Sequence, residues 1–315
     1  MPVLGLFFRI WPFFMKFFFS VLLYCLFCSA GGLQAQTVPA PPMTWQDLVQ
    51  QPMPAPGVRL AYGPDSLQFG ELRVPEGKGP FPVVVLIHGG CWLSQYNYRY
   101  MNYASAALAK AGFATWNIEF RRVGNPGGGY PGTFLDVAQA VDHVRVLARQ
   151  YPVKAKEVVL MGHSAGGHLA LWAAGRSELP RSSALYTKKP LKVKGVVALA
   201  GIPDLTTYST QKGSCNAAVE KLLGGLPTAM PHRYAEATPS PALALKTPVR
   251  MVQGGKDPIV PVSQAQNFVN HSSSRNNKAK VVLLPEAGHF DLVAPTSPVW
   301  PTIEQAVKEL LVKRK

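Results

Sequence analysis

Residues 82–88 read PVVVLIH, an unbroken and largely β-branched run. A strand without polar alternation is stable only when both of its faces are covered. Glu157–Met161, Val193–Ala200, Val249–Gln253 and Val281–Leu284 have the same character, and Gly112–Ile118 adds another strand. Stretches with helical spacing fall between them: Ala104–Ala111, Phe134–Gln150, an Ala- and Leu-rich run to Ala174, Ser263–His271 and Ile303–Leu311. Strands that alternate with helices of this length specify the α/β class, a mostly parallel sheet with helices on both faces. Leu67–Val74 alternates instead and predicts an early antiparallel strand. Residues 202–246 interrupt the rhythm with turn formers and a short helix near Ala217–Leu223, where a small insertion would shape a binding site. With 315 residues and 47% hydrophobic content, the chain suits one large core, here residues 58–315. A charged fraction of 16% argues against disorder.

The first 35 residues do not belong to that core. Phe17–Cys28 is an apolar run of twelve, preceded by Lys16 and followed by Ser29, Ala30, Gly31 and Gly32. A positive start, a run too short to span a bilayer and a small-residue exit describe an export signal over residues 1–35, cleaved after Ala35. Met15-Lys16 would itself open such a signal, so residues 1–14 read as an upstream extension. The alternative is an uncleaved membrane anchor counted from Phe7. Residues 36–57, with prolines at 39, 41, 42, 52, 54 and 56, read as a tether or irregular arm.

Export would remove Cys25 and Cys28, leaving Cys91 and Cys215. A single pair makes no disulfide framework and has no zinc spacing, and the expectation is two separate thiols. The formal net charge is +15, two of which leave with Arg9 and Lys16. The basic residues are scattered, with no interleaved aromatic stripe, which suits a solvated basic surface and no nucleic-acid partner.

Gly162-His163-Ser164-Ala165-Gly166 matches G-x-S-x-G, with an apolar strand running in and an Ala-rich helix running out. In that context Ser164 is a candidate nucleophile at a sharp turn, where side chains two residues either side would collide. His88-Gly89-Gly90-Cys91-Trp92 follows another buried strand, as oxyanion loops of HGGG type do. The candidate oxyanion donors are the amides of Gly90, Cys91 and Ala165, the last at the positive end of a helix. Cys91 as the nucleophile is the weaker option, because it lacks a strand-to-helix turn. A serine needs a base, and the base an orienting acid, in the chain order Ser, Asp or Glu, His. His289 follows the last strand; His168 is four residues along the nucleophile's own helix, His232 lies in the insertion and His271 at a helix end. Asp257 follows its strand in the same way, with Asp204 the alternative acid; Glu286 and Asp291 stand too close to His289.

Together HGGCW, Glu119-Phe120-Arg121-Arg122, the glycine run Gly127–Gly132, GHSAGG, GGKDPIVP and EAGHFD resemble the kynurenine formamidase-like and carboxylesterase-like branch of the α/β-hydrolases, over about residues 58–315. The resemblance implies hydrolysis of carboxylic esters, or of an aryl formamide, without a metal or organic cofactor. It supports roles for Ser164, Asp257 and His289, and Cys91 departs from the residues usual in such loops. The expectation is an exported esterase acting on small-molecule or carbohydrate-linked acyl esters. A cytosolic aryl formamidase fits poorly with a signal peptide. An exported peptidase is a weaker variant, and a silent binding module fits poorly with an intact Ser, Asp and His. Intact-mass analysis of protein purified from its natural compartment should give a chain beginning at Gln36; a mass retaining Met1 or Met15 would overturn the cleavage.

Overall fold

The computed structural model describes residues 40–239, 247–273 and 278–311. Residues 1–35, expected to be an export signal, and the C-terminal basic run at 313–315 lie outside them. Eight strands form one sheet: β1 (Val58–Ala61), β2 (Phe69–Arg73), β3 (Phe81–Ile87), β4 (Ala114–Ile118), β5 (Val153–His163), β6 (Gly195–Leu199), β7 (Val249–Gly254) and β8 (Ala279–Leu284). Their order is β1-β2-β4-β3-β5-β6-β7-β8, parallel from β4 to β8. The antiparallel pairs are β1–β2 and β2–β4, with Gly70 opposite Ile118. This is the α/β-hydrolase arrangement expected from the alternation of strands and helices. β1 escaped the sequence reading: it is a four-residue edge strand, mostly exposed, with no hydrophobic periodicity.

Ten α-helices accompany the sheet among the described residues: α1 (Trp45–Val49), α2 (Asn102–Lys110), α3 (Gly132–Asp142), α4 (Val144–Gln150), α5 (Ala165–Gly175), α6 (Leu205–Ser209), α7 (Ser214–Leu223), α8 (Pro231–Ala237), α9 (Val262–Ser273) and α10 (Trp300–Leu311). The expected helix over 134–150 is two segments, α3 and α4, meeting at His143, whose ring stacks on Trp116. The chain moves back from β3 to β4 through α2 and then forward through α3, α4, α5 and α9. Right-handed crossovers of opposite direction place their helices on opposite faces, so both faces are covered. The insertion expected at 202–246 holds α6, α7 and α8 in its described part.

The proline-rich arm is more than a tether from Pro41 to residue 57. From Pro41 onward the chain belongs to the same compact unit as the sheet. Thr44 caps α1 in a reciprocal capping box with Asp47, which satisfies two otherwise orphaned amides. The Trp45 ring packs at 5.4–6.0 Å from those of Tyr96, Tyr100 and Phe290. The Met43 amide donates to Asp291 Oδ2 at 3.0 Å.

α5 is buried along almost its whole length and packs against β5 and β6. Its close approach needs glycine. A Cβ on Gly162 would lie 2.0 Å from the Gly166 carbonyl oxygen, and one on Gly166 would lie 2.1 Å from that of Ile87. A Cβ on Gly167 would meet the Gly201 Cα at 2.8 Å. His168, one turn into α5, accepts the Trp92 indole N–H at Nδ1 (3.1 Å) and bonds the Ala237 carbonyl from Nε2 (2.9 Å). It thereby ties the loop after β3 and the insertion to α5.

Two stability measurements follow. Gly166→Ala drives a methyl into fixed backbone and should destabilise the fold by about 3 kcal/mol or more in urea unfolding; an unchanged midpoint would contradict the packing. Burial lowers the His168 pKa to about 4. The folded state therefore keeps His168 neutral while the unfolded chain takes up a proton below about pH 6.5. Stability should fall with pH from about 6.5 to about 4, by roughly 3 kcal/mol from this group, levelling off below its folded pKa. His163 is lowered in the same direction. A urea midpoint that stays flat across that window would refute the assignment.

Candidate active site

The candidate residues come from the carboxyl ends of β3, β5, β7 and β8, the edge at which an open α/β sheet presents its ligand sites. Ser164 follows β5 and stands at the N-cap of α5 with φ 55° and ψ −122°, a conformation that side chains normally avoid. Its amide donates to the Leu199 carbonyl at 2.7 Å, and its carbonyl accepts from His168 N at 3.1 Å. The strain of such a backbone, roughly 1–3 kcal/mol, is held by the strand on one side and the helix on the other. Ser164 is buried, at 3% exposure.

His289, also buried, bonds Asp257 through Nδ1 to Oδ2 at 2.7 Å. Nε2 is therefore its remaining nitrogen. Asp257 Oδ1 accepts the amides of Ile259 (2.8 Å) and Val260 (3.0 Å), and Gln253 Nε2 approaches Oδ2 at 3.2 Å. Burial opposes ionisation of Asp257, but His289 and those two amides outweigh it and hold the carboxyl below its usual range. Asp204, the alternative acid, caps α6 by accepting from Thr207 N at 3.0 Å. His232 pairs with Glu236 on α8, and His271 bonds the Asn267 carbonyl at the end of α9. Asp291 organises the base loop: Oδ2 accepts from Gly288 N (2.8 Å) and Met43 N, and Oδ1 from Ser297 Oγ (3.0 Å).

His163, unassigned by the sequence, connects these loops. Its Nε2 lies 3.1 Å from the His289 carbonyl oxygen, which can only accept, so Nδ1 receives the Tyr100 hydroxyl at 2.9 Å. Tyr100 in turn accepts from Gly89 N at 2.6 Å. Burial and the neighbouring His289 lower the His163 pKa well below the usual range, as a neutral relay requires. Its ring sits 4.5 Å from that of His289. The loop after β3 is thus joined through Tyr100 and His163 to the base loop. Only the pattern of buried rings in three dimensions reveals this chain.

In the loop after β3, Gly90, Cys91 and Trp92 all have positive φ (96°, 51° and 57°). A Cβ on Gly89 would lie 2.6 Å from the His163 carbonyl oxygen and 3.0 Å from Ser164 Cβ, so this loop abuts the serine turn. The amides of Gly90, Cys91 and Ala165 have no protein acceptor among the described residues. Behind the loop, Glu119 Oε1 accepts from Phe120 N at 2.8 Å, lies 3.0 Å from His88 Nε2 and pairs with Arg122. Burial opposes its charge, but His88 and Arg122 keep the carboxyl below its usual range. Arg121 clamps Asp136 through Nε (2.8 Å) and Nη2 (2.6 Å), and Gln68 Nε2 shares that carboxylate. The Glu119-Phe120-Arg121-Arg122 stretch therefore works as scaffold.

The expectation of two separate thiols is corrected. Cys91 and Cys215 form a disulfide, with Cα atoms 5.0 Å apart. The insertion folds back so that α7 lies against the loop after β3, a proximity that a separation of 124 residues conceals. Closing a loop of that length contributes about 2–5 kcal/mol.

The arrangement offers a buried hydroxyl at a strained turn, an imidazole oriented by an ionised carboxylate, and amides without acceptors beside them. Esterases are among the known proteins that this chain resembles. The chain is 27% identical over 220 residues to "Probable carboxylic ester hydrolase LipM" of Mycobacterium tuberculosis, covering 68% of this chain and 51% of that protein. It is 26% identical over 247 residues to "Esterase LipC" of the same organism, covering 75% and 60%. The chain thus spans only about half to three-fifths of these relatives. Its fold matches a solved "Truncated form of carbohydrate esterase from gut microbiota" with a TM-score of 0.70 and 20% identity, covering 87% of this chain and 100% of that one. The profile of the BD-FAE family matches residues 72–271, and the chain belongs to that family of α/β-hydrolase esterases.

Proposed function

We propose that this protein is an exported serine hydrolase that cleaves carboxylic esters of small molecules or of acylated carbohydrates. The observation that carries the reading is the 2.7 Å bond from His289 to the buried, ionised Asp257, in a base loop bonded to the residue before Ser164. In this reading His289 Nε2 takes the Ser164 proton as Oγ attacks the ester carbonyl. The amides of Gly90, Cys91 and Ala165 hold the oxyanion, the last with the positive end of α5 behind it. His289 then gives the proton to the leaving alcohol. Water, activated by the same imidazole, releases the acid from the acyl-enzyme. Asp257 keeps the imidazole in the tautomer that leaves Nε2 free to accept and balances the imidazolium.

Esterases among the relatives and a carbohydrate esterase among the structural neighbours support this substrate class. Export draws support from the Lys16-led apolar run and from the Cys91–Cys215 bond, because disulfides persist in oxidising compartments. The same bond disfavours the cytosolic formamidase alternative.

Ser164→Ala should abolish turnover of p-nitrophenyl acetate while the circular dichroism spectrum stays native; undiminished turnover would remove the serine mechanism. Asp257→Asn should lower kcat about 10³–10⁴-fold, since an amide favours the wrong tautomer. Assays on acyl esters of graded length, an acetylated sugar, N-formylkynurenine and a peptide amide define the class. Preference for the formamide or the peptide would overturn the ester assignment.

A further inference from the structure

Cys91 lies one residue past Gly90, and its sulfur is bonded to that of Cys215 in the first turn of α7. Cys91 and Trp92 are consecutive non-glycine residues at φ 51° and 57°. Two such residues in sequence relax towards ordinary backbone unless their surroundings over-determine them. On the Trp92 side the restraint is plain: the ring is fully buried, its indole N–H donates to His168, and its carbonyl accepts from Val123 N at 2.9 Å. On the Cys91 side the Gly90 carbonyl accepts from Leu93 N at 2.9 Å across the turn, and the half-buried Cys91 side chain is anchored by the disulfide. The other end of that anchor is firm. Val219, Leu222 and Leu223 of α7 are buried, Asn216 Nδ2 donates to the Tyr208 carbonyl at 2.8 Å, and the Leu222 carbonyl accepts from Tyr130 N at 2.8 Å.

We propose that Cys215 is a positioning residue for ester hydrolysis: through its bond to Cys91 it holds the Gly90 and Cys91 amides in their left-handed, oxyanion-facing geometry, so that turnover requires the oxidised protein. The inference rests on the proposed oxyanion role of those amides. Neither sulfur enters the acyl-transfer chemistry. Reduction converts the S–S bond to two thiols; with a phosphine reductant, phosphorus supplies the two electrons, water supplies the protons and its oxygen, and the phosphine oxide leaves. Freed of the bond, the loop moves its amides off the position of the developing charge. Displacement of about an ångström, or loss of one donor, costs on the order of a hundredfold in rate.

The test uses the oxidised full chain as purified. Alkylation under denaturing conditions should find Cys91 and Cys215 blocked before phosphine treatment and free after it. On p-nitrophenyl acetate, reduction should lower kcat by about tenfold to a hundredfold with KM little changed, and reoxidation should restore it. Cys215→Ala should show the same low kcat and no response to phosphine. Cys91→Gly/Cys215→Ala should turn over faster than Cys215→Ala alone, because glycine adopts positive φ unaided; a bond that served only stability would give no such rescue. Circular dichroism monitors folding, and if Cys215→Ala fails to fold, the reduced wild-type protein and the double variant carry the test. Full kcat with both thiols free, free thiols in the oxidised protein, or a folded double variant no faster than Cys215→Ala would overturn the proposal. Turnover retained by Ser164→Ala would instead bring down the serine-esterase reading, which separates the two failures.

Discussion

The strand-to-helix turn at Ser164 is the constraint on which the rest of the structure depends. A non-glycine residue at φ 55° has to be held from both sides, and the turn can be this tight only where the residues two positions either side are glycine. Gly162 faces Gly166, Gly166 faces the end of β3, and Gly167 faces Gly201 beyond β6. The turn is therefore locked against the ends of three strands at once. That locking brings α5 down onto the sheet and aims its amino end at the same edge as the loops from β3, β7 and β8.

Those loops are held by polar devices buried beneath them. Glu119, His88 and Arg122 share one cluster, and Asp136 is shared by Arg121 and Gln68. Buried charges of this kind contribute little net stability once desolvation is counted, but removing one partner leaves the other stranded. Their value lies in defining a single arrangement for the loop after β3. The neutral relay from Gly89 through Tyr100 and His163 to the His289 carbonyl does similar work nearer the serine. α1 covers it from outside, with Trp45 against Tyr100 and Phe290.

Much of this was legible in the residues. The buried strands, the helices between them and the antiparallel start could be read because hydrophobic periodicity is a local signal. Ser164, Asp257 and His289 stood out because each follows such a strand in the order that this chemistry uses, and the structure brings Asp257 and His289 into contact. The exposed edge strand β1 and the break at His143 left no such trace. Asp204 and Asp257 were both open as the acid from spacing alone; only the structure shows Asp204 spent on capping α6.

By itself, then, the sequence determined the α/β class, the glycine-flanked serine turn and the set of polar residues at one sheet edge, since each follows from patterns a few residues long. The tertiary structure decided everything that depends on distant segments meeting. It paired Cys91 with Cys215 across 124 residues, docked the proline-rich arm through Trp45 and Met43, and made His163 the link between two loops. Such contacts are set by how the whole sheet and its insertion pack, and no local pattern encodes them.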